Sequence, residues 1–449
     1  MRAAEWLRAN RFGLLLLSLV VGIGGGMGAI VFRYCIYAGT WLFTGRQNYG
    51  LLPHAPSVHL PWLGPWFVVV APVAGGLVIG PLIYFLAREA RGHGVPEVML
   101  VVGENGGRIR PQVPIVKAIA SAICIGSGGS VGREGPIVQI GAALASTVGQ
   151  MVRMSESRLR LLVACGAAAG ISATFNAPLT GVFFGFELIL REVSLEAFVT
   201  LLLSAMAADT VSQIAFGSQP FFSLPSVTFS NPVDYLLCAV LAVVAGLVGV
   251  GFKTVLYRIE DFCDLLWRGK PEWLRPAVGG IPLGLLLLAL PQMYGVGYPV
   301  MQHAMGGGYV FWFLLLLVVG KIVACSLTIG IGGSGGVFAP SLFIGASLGM
   351  AFGVAMDALF GIGAGPSAAY GMVAMGAVFA GAARAPLTAT ASVTEMTGDV
   401  SMVLPVMLGT AVASVISARI THGTIYTTKL LRRGIDIERP KPATLMQTL

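Results

Sequence analysis

Hydrophobic residues run along this chain in long uninterrupted stretches, and do not alternate with polar residues. Six such stretches carry few charges and cover residues 12–32, 65–87, 195–217, 235–254, 278–290 and 310–329. All except 278–290 reach the roughly 18–20 residues with which a helix crosses a bilayer. Continuous apolar runs favour helices over a transmembrane β-barrel, whose strands alternate. The pattern therefore predicts an all-α polytopic membrane protein.

Further apolar stretches are short and are bounded by glycine or proline. They cover residues 113–125, 136–151, 159–173, 177–190, 340–353, 367–380 and 386–396. Such segments are too short to cross a bilayer upright. Broken helices are tolerated at membrane depth only where protein or a wet cavity covers the break. We therefore predict many tilted, broken and re-entrant helices.

One part of the chain is repeated. Nine of the twenty residues at 117–136 are identical to those at 321–340. A second repeated element is an Ala-Pro-Leu-Thr motif with a glutamate nine residues after its proline, found at 177–180 with Glu187 and at 385–388 with Glu395. Paired glycine and proline interruptions in two related halves indicate where a transporter binds its substrate.

The repeat also predicts the domain organisation. We expect a single transmembrane domain over residues 1–435, with a first half at about 12–217 and a second half at about 232–426. A short cytoplasmic tail, residues 436–449, would follow it.

Basic residues flank the outermost spans. They are Arg2, Arg8 and Arg11 before the first span, and Lys429, Arg432, Arg433, Arg439 and Lys441 after the last. Positively charged flanks stay on the cytoplasmic side, so both termini are predicted to be cytoplasmic, with an even number of crossings. We interpret the net charge of +8 as this topology signal, and not as a sign of nucleic-acid binding.

Three loops rich in glycine and proline are candidate anion-binding segments. They lie at 92–96, 132–136 and 335–340. A helix N-terminus exposes unpaired N–H groups and about half a positive charge. Proline suits its first turn, and glycine lets a ligand approach the backbone. Several such ends meeting in a membrane would bind an anion without a full positive charge. The alternative is that these glycines serve only close helix packing.

An acidic residue interrupts the match between the two halves. Glu134 stands where the second half has Phe338. A carboxylate deep in a bilayer is costly and usually marks a function. At a helix start it competes with anions for the same N–H groups, and protonation would release it. Glu134 is therefore predicted to gate anions and to carry protons; the alternative is a structural helix cap.

These motifs together resemble a known family. Gly-Arg-Glu-Gly-Pro at 132–136, Gly-Gly-Val-Phe-Ala-Pro at 335–340, Gly-His-Gly-Val-Pro at 92–96 and the late Tyr426 are similar, in order and spacing, to the CLC family of chloride channels and chloride/proton antiporters. The resemblance covers the chain from about residue 12 to about residue 435. It implies an antiparallel two-half fold of the prokaryotic type, without C-terminal regulatory domains, and a homodimer with one pore in each subunit.

The resemblance also assigns roles to residues. Glu134 corresponds to the external gating glutamate and proton acceptor. Anion binding is assigned to His93, Gly94, Val337, Phe338 and Tyr426, with Arg133, Gly135 and Lys117 in support. The repeat partner of Lys117 is Lys321, which we interpret as a relic of the repeat.

Two positions depart from the family pattern. His93 occupies a position that is usually serine, and because imidazole both donates a hydrogen bond and ionises near neutral pH, anion preference stays open. Leu188 occupies the position of the internal glutamate of the antiporters and cannot relay a proton. Its neighbour Glu187 is the candidate relay, with direct access of water to Glu134 as the alternative.

The predicted function is chloride/proton antiport gated by Glu134, and the alternative is a chloride channel without proton coupling. A distant alternative is an intramembrane serine protease, because residues 332–335 fit the G-x-S-G pattern. That enzyme would need a base on a neighbouring helix, whereas Ser334 has a twin at Ser130 and all five histidines are predicted in loops or at the termini. A cation transporter is a further alternative, but it would require more intramembrane carboxylates.

We therefore predict no enzymatic activity, no cofactor and no metal. The predicted partners are chloride and other small anions, protons, a second copy of the chain and the lipid bilayer. The predicted location is a bacterial inner membrane.

Overall fold

The computed structural model describes residues 10–52, 54–222, 229, 232–360 and 367–437. Most of the predicted tail, and with it Arg439 and Lys441, lies outside the described residues, as do Arg2 and Arg8. Within the described residues the helices are α1 (Arg11–Thr44), α2 (Phe67–Leu86), α3 (Val95–Gly103), α4 (Val113–Gly126), α5 (Glu134–Met151), α6 (Glu156–Phe175), α7 (Pro178–Phe184), α8 (Leu195–Phe216), α9 (Pro232–Leu266), α10 (Arg275–Ala289), α11 (Tyr298–Met305), α12 (Phe311–Gly330), α13 (Phe338–Phe360), α14 (Ser367–Ala383), α15 (Pro386–Thr397), α16 (Val403–Ile420) and α17 (Thr427–Leu431). A π-helical segment, Gly185–Leu190, continues α7.

Nine helical stretches in the described part of the chain are long and apolar enough to cross a membrane. Each of the six long apolar runs lies in one of them, apart from at most one residue at an end, which confirms the all-α polytopic membrane fold. The run 278–290, which alone falls short of spanning length, belongs to the 18-residue stretch Glu272–Ala289. The predicted short segments 159–173 and 340–353 are an exception, because they lie in helices of 20 and 23 residues. Helix α6 begins with three polar residues before its apolar run, and α13 continues seven residues past its run, through Asp357.

Reciprocal contacts relate the two halves. The carboxylate of Glu187 accepts hydrogen bonds from the backbone N–H (2.7 Å) and the hydroxyl (2.7 Å) of Thr388 at the start of α15. The carboxylate of Glu395 accepts the same pair of bonds from Thr180 at the start of α7, at 2.8 and 2.7 Å. Each half thus caps a helix of the other, as expected of an inverted repeat.

Small residues let paired helices within each half lie very close together. A Cβ atom at Gly141 of α5 would overlap the carbonyl oxygen of Gly166 in α6. In the second half, a Cβ atom at Gly345 of α13 would overlap the carbonyl oxygen of Ala374 in α14. Close packing through small residues is the usual basis of helix association in membranes, where lipid removes the hydrophobic driving force. These glycines therefore serve packing.

Candidate anion site

Backbone hydrogen bonds hold the three predicted loops together at the starts of α3, α5 and α13. Gly132 donates to the carbonyl of Gly336 (2.8 Å), and Gly336 donates back to Gly132 (2.6 Å). Gly92 donates to the carbonyl of Gly333 (3.1 Å), and Gly335 donates to Gly92 (3.3 Å). Three helix N-termini with their partial positive charges therefore converge on one buried region.

Glycine is required where these loops meet. A Cβ atom at Gly135 would overlap the carbonyl oxygen of His93 and would lie 3.2 Å from the Cα atom of Gly336. Gly94 has a φ of +75°, and a Cβ atom there would lie 2.8 Å from the carbonyl oxygen of Gly135. Only a residue without a side chain permits this contact and this backbone conformation.

The carboxyl group of Glu134 lies inside this junction, and the residue is 1% exposed. One oxygen, Oε1, accepts a hydrogen bond of 2.8 Å from the hydroxyl of Tyr298. The other oxygen lies over Gly336, where an added Cβ atom would come within 2.6 Å of it. The backbone N–H of Ala339, in the first turn of α13, is close enough to stabilise the carboxylate charge. The side chain thus occupies space beside a helix N-terminus, where an anion is stabilised.

His93 is buried (1% exposed) between aromatic rings. Its ring centroid lies 6.1 Å from that of Tyr426 and 6.5 Å from that of Tyr257. Neither ring nitrogen has a hydrogen-bond partner among the described residues. A buried polar group without a partner costs about 1–3 kcal/mol, so this arrangement suits a site that a polar species occupies in use.

The remaining predicted anion-binding residues are buried in the same region. Val337 and Phe338 lie at the start of α13, and the Phe338 ring packs 4.5 Å from that of Phe379. Tyr426 is buried directly before α17, within reach of the charge of Glu134. The structure thus brings together the residues that the sequence motifs separate by more than 300 positions.

Two buried lysines support the loops. The Nζ atom of Lys117 donates to the carbonyls of Ala90 (2.8 Å) and Gly92 (2.7 Å). The Nζ atom of Lys321 donates to the hydroxyl of Ser130 (2.8 Å) and to two carbonyls of the segment before α11. The expectation that Lys321 is only a relic of the repeat is therefore wrong, because it satisfies three acceptors within the protein.

The segment around α17 adds charge beside the first loop. A Cβ atom at Gly92 would lie 2.8 Å from the Nζ atom of Lys429. Burial lowers the pKa of Lys429 from its usual value, and the nearby carboxylate of Glu97 opposes that change. Arg433 forms two hydrogen bonds to Glu97 (2.7 and 3.1 Å), and these raise its pKa. From the sequence, these basic residues indicated only the topology.

Arg133 faces an aromatic cluster and a cavity. Its guanidinium donates to the carbonyl of Thr174 (3.0 Å) and lies 5.2 Å from the ring centroids of both Phe221 and Tyr298. A cavity of about 220 Å³ is lined by Arg133, Tyr298 and Arg33, among other residues. Tyr298, whose hydroxyl holds Glu134, thus borders this cavity. No sequence signal pointed to Tyr298, which lies 164 residues from Glu134.

His303 lies within α11, although all five histidines were predicted in loops or at the termini. A Cβ atom at Gly308 would overlap its ring, so the turn after α11 folds back against His303.

The fold and this site define a helical membrane protein of anion-transporting architecture. The sequence model of the voltage gated chloride channel family matches residues 75–418. The chain belongs to this family, the CLC family.

Two curated relatives match over almost the whole chain. One is a protein of Ralstonia nicotianae named as a ClcB-like chloride channel protein, 32% identical over 96% of this chain and 99% of the relative. The other is the voltage-gated ClC-type chloride channel ClcB of Escherichia coli, 30% identical over 92% of this chain and 98% of the relative.

Two solved structures share the fold. A slow cyanobacterial Cl⁻/H⁺ antiporter superposes with a TM-score of 0.82 at 25% identity, over 94% of this chain and 98% of its own. A CLC-type fluoride/proton antiporter superposes with a TM-score of 0.76 at 26% identity, over 92% and 97% of the two chains.

Proposed function

We propose that this protein exchanges chloride for protons across a membrane and that Glu134 is both the gate and the proton acceptor. The observation that supports this most directly is the position of the carboxyl group, which lies beside the N-terminus of α13 and over Gly336. Ionised, the carboxylate takes the place of an anion; protonated, it loses the attraction of the helix dipole and leaves. Chloride then binds the backbone N–H groups of Val337 and Phe338. Flux is expected to rise as pH falls.

The inner part of the anion path is assigned to His93 and Tyr426. The unpartnered ring nitrogens of His93 support this assignment, because a bound anion accepts a hydrogen bond from an imidazole N–H. Gly94 and Gly135 permit the close contact between the first two loops. Lys117 supports the first of these loops through its hydrogen bonds to backbone carbonyls.

Two routes could bring the proton to Glu134. Leu188 is buried and has no group that exchanges protons. The carboxylate of Glu187 accepts hydrogen bonds at the start of α15, which accounts for its presence as a helix cap. Water that reaches Glu134 directly, or Glu187 after release from its cap, would complete the route.

The resemblance to antiporters supports exchange, whereas the names of the curated relatives favour the second candidate, a chloride channel. We further propose a homodimer with one path in each subunit and a single transmembrane domain over residues 1–435. It would lie in a bacterial inner membrane with both termini cytoplasmic, since basic residues flank the outermost spans.

Chloride flux from liposomes tests the gate. Glu134→Gln imitates the protonated side chain, so chloride flux is expected to persist and to lose its dependence on pH. Proton movement driven by a chloride gradient is expected to stop. The exposed Glu192 provides a control, because Glu192→Gln changes the same chemistry far from the junction. If Glu134→Gln keeps the pH activation of the wild type, the gate is assigned to the wrong residue.

Reversal potentials in reconstituted bilayers separate the two candidates. An exchanger reverses at a potential that moves with the pH gradient. A wild-type current that reverses at the chloride equilibrium potential under every pH gradient would establish a channel and would leave the role of Glu134 as gate intact.

A further inference from the structure

We infer that Tyr298 is a positioning residue that holds Glu134 in the closed position and sets the pH at which the anion path opens. This inference rests on the proposed role of Glu134 as the gate. Tyr298 is the first residue of α11, preceded by Gly297 with a φ of +94°. Its hydroxyl donates a hydrogen bond of 2.8 Å to Oε1 of Glu134.

The hydrogen bond favours the ionised form of the gate. A hydrogen bond to a charged acceptor is roughly twice as strong as a bond between neutral groups. The phenol therefore stabilises the carboxylate in place more than it stabilises the protonated acid. The helix N-terminus of α13 acts on the carboxyl group from the side of Gly336, and Tyr298 acts on the opposite oxygen.

The aromatic cluster fixes the phenol ring. The ring centroid of Tyr298 lies 4.8 Å from that of Phe221, 6.1 Å from that of Phe222 and 6.4 Å from that of Phe175, in edge-to-face arrangements. The guanidinium of Arg133 lies 5.2 Å from the centroid. A phenol held in this way presents its hydroxyl at one position, so the gate must break the hydrogen bond in order to move.

Other groups also act on Glu134, but none replaces the phenol. The charged and titratable groups that face the carboxyl group from neighbouring elements are Arg133, Lys321, Cys325, Tyr426 and Tyr298. Arg133 donates to Thr174, and Lys321 is occupied by Ser130 and two carbonyls. In the described part of the chain, Tyr298 alone of these side chains donates a hydrogen bond to the carboxyl group.

The cavity beside Tyr298 gives the released side chain a place to go. Tyr298 and Arg133 both line the cavity of about 220 Å³. On this inference, a protonated Glu134 that leaves Gly336 turns towards this cavity. The phenol thus borders both the closed position of the gate and the cavity.

The test is the pH dependence of chloride flux from liposomes for Tyr298→Phe, which removes the hydroxyl and keeps the ring. Loss of the bond destabilises the carboxylate, so the activation midpoint is expected to move to higher pH by about 0.5–1 unit, from the difference between the two hydrogen-bond classes. Tyr294→Phe is the matched control. Tyr294 lines the same cavity, but its hydroxyl donates to the carbonyl of Gly126 (2.7 Å), so no shift is expected.

A second variant protects the test against misfolding. Replacing Tyr298 by 3-fluorotyrosine keeps the ring and makes the phenol a stronger donor, so the midpoint is expected to move to lower pH. Opposite shifts for the two substitutions would establish the hydrogen bond as the cause. Equal midpoints for the wild type, Tyr298→Phe and the fluorinated protein would overturn the inference.

The double variant separates failure of this inference from failure of the proposed gate. With Glu134→Gln, no carboxylate remains for Tyr298 to stabilise, and adding Tyr298→Phe is expected to change nothing. If Glu134→Gln removes the pH dependence but Tyr298→Phe leaves the midpoint unchanged, the gate stands and the role of Tyr298 is refuted. If Glu134→Gln retains the pH dependence, the gate itself is refuted.

Discussion

The reciprocal helix caps provide an internal control for the role of Glu187. Glu187 and Glu395 occupy equivalent positions in the two halves, and both are partly buried. Each accepts two backbone N–H bonds and one hydroxyl bond at a helix start of the other half. Only Glu187 neighbours Leu188, the position that carries the internal glutamate in antiporters of the family. Replacing each glutamate by alanine removes the same cap and separates stability from transport.

The contacts of the two glutamates set the expected loss in the free energy of unfolding. Loss of an N-cap side chain costs about 0.5–2 kcal/mol. Loss of a negative charge at a helix N-terminus adds about 0.3–1 kcal/mol. The cost lies at the low end of this range where solvent screens the charge. We therefore expect Glu187→Ala and Glu395→Ala each to lower the free energy of unfolding by about 1–2 kcal/mol. Unfolding by sodium dodecyl sulfate in mixed micelles measures that difference, and the two variants should agree to within about 0.5 kcal/mol because their contacts are equivalent.

Transport measurements on the same two variants then decide whether Glu187 relays protons. If Glu187 is only a cap, both variants keep the wild-type ratio of protons to chloride, measured from proton uptake against chloride efflux. If Glu187 also relays protons, Glu187→Ala alone lowers that ratio. A loss of stability confined to one variant would refute the equivalence of the two caps. An equal loss of proton coupling in both would show that the caps affect transport through the structure and not through proton relay.

Four further outcomes are expected. His93→Ser should change the ratio of chloride to nitrate flux between pH 5 and 8, and identical profiles would remove His93 from the anion path. Leu188→Glu should raise proton movement per chloride, at a cost in stability because a carboxyl group replaces a buried leucine; an unchanged ratio would contradict an internal proton route there. Lys321→Met leaves three acceptors unpaired and should cost about 3 kcal/mol of unfolding free energy, whereas a loss below 1 kcal/mol would contradict its supporting role. A double-mutant cycle with glutamine at Arg433 and Glu97 should give a coupling energy of about 0.2–1 kcal/mol that falls with added salt, because the pair is partly exposed; a coupling that ignores salt would contradict this.

The sequence by itself determined the class of fold and the positions of the loops. Apolar length decides whether a segment spans a bilayer, and this is a local property, so the five runs of spanning length predicted spans correctly. The repeat is likewise visible as identity between 117–136 and 321–340. The helix starts at 95, 134 and 338 follow from glycine and proline, which act on the backbone of their own turn.

Tertiary structure alone decided which side chains meet. Tyr298 reaches Glu134 across 164 residues, and no motif marks it, because the contact depends on how α11 packs against the junction. Lys429 approaches Gly92 for the same reason, through the docking of α17. The lengths of α6 and α13 also differ from those of their apolar runs, because each helix continues past its run through charged residues, Glu156 and Arg158 in α6 and Asp357 in α13. Membrane spans and glycine- and proline-rich loops depend on neighbouring residues, so they can be predicted from the sequence. Hydrogen bonds between distant elements form only once the two halves have packed together.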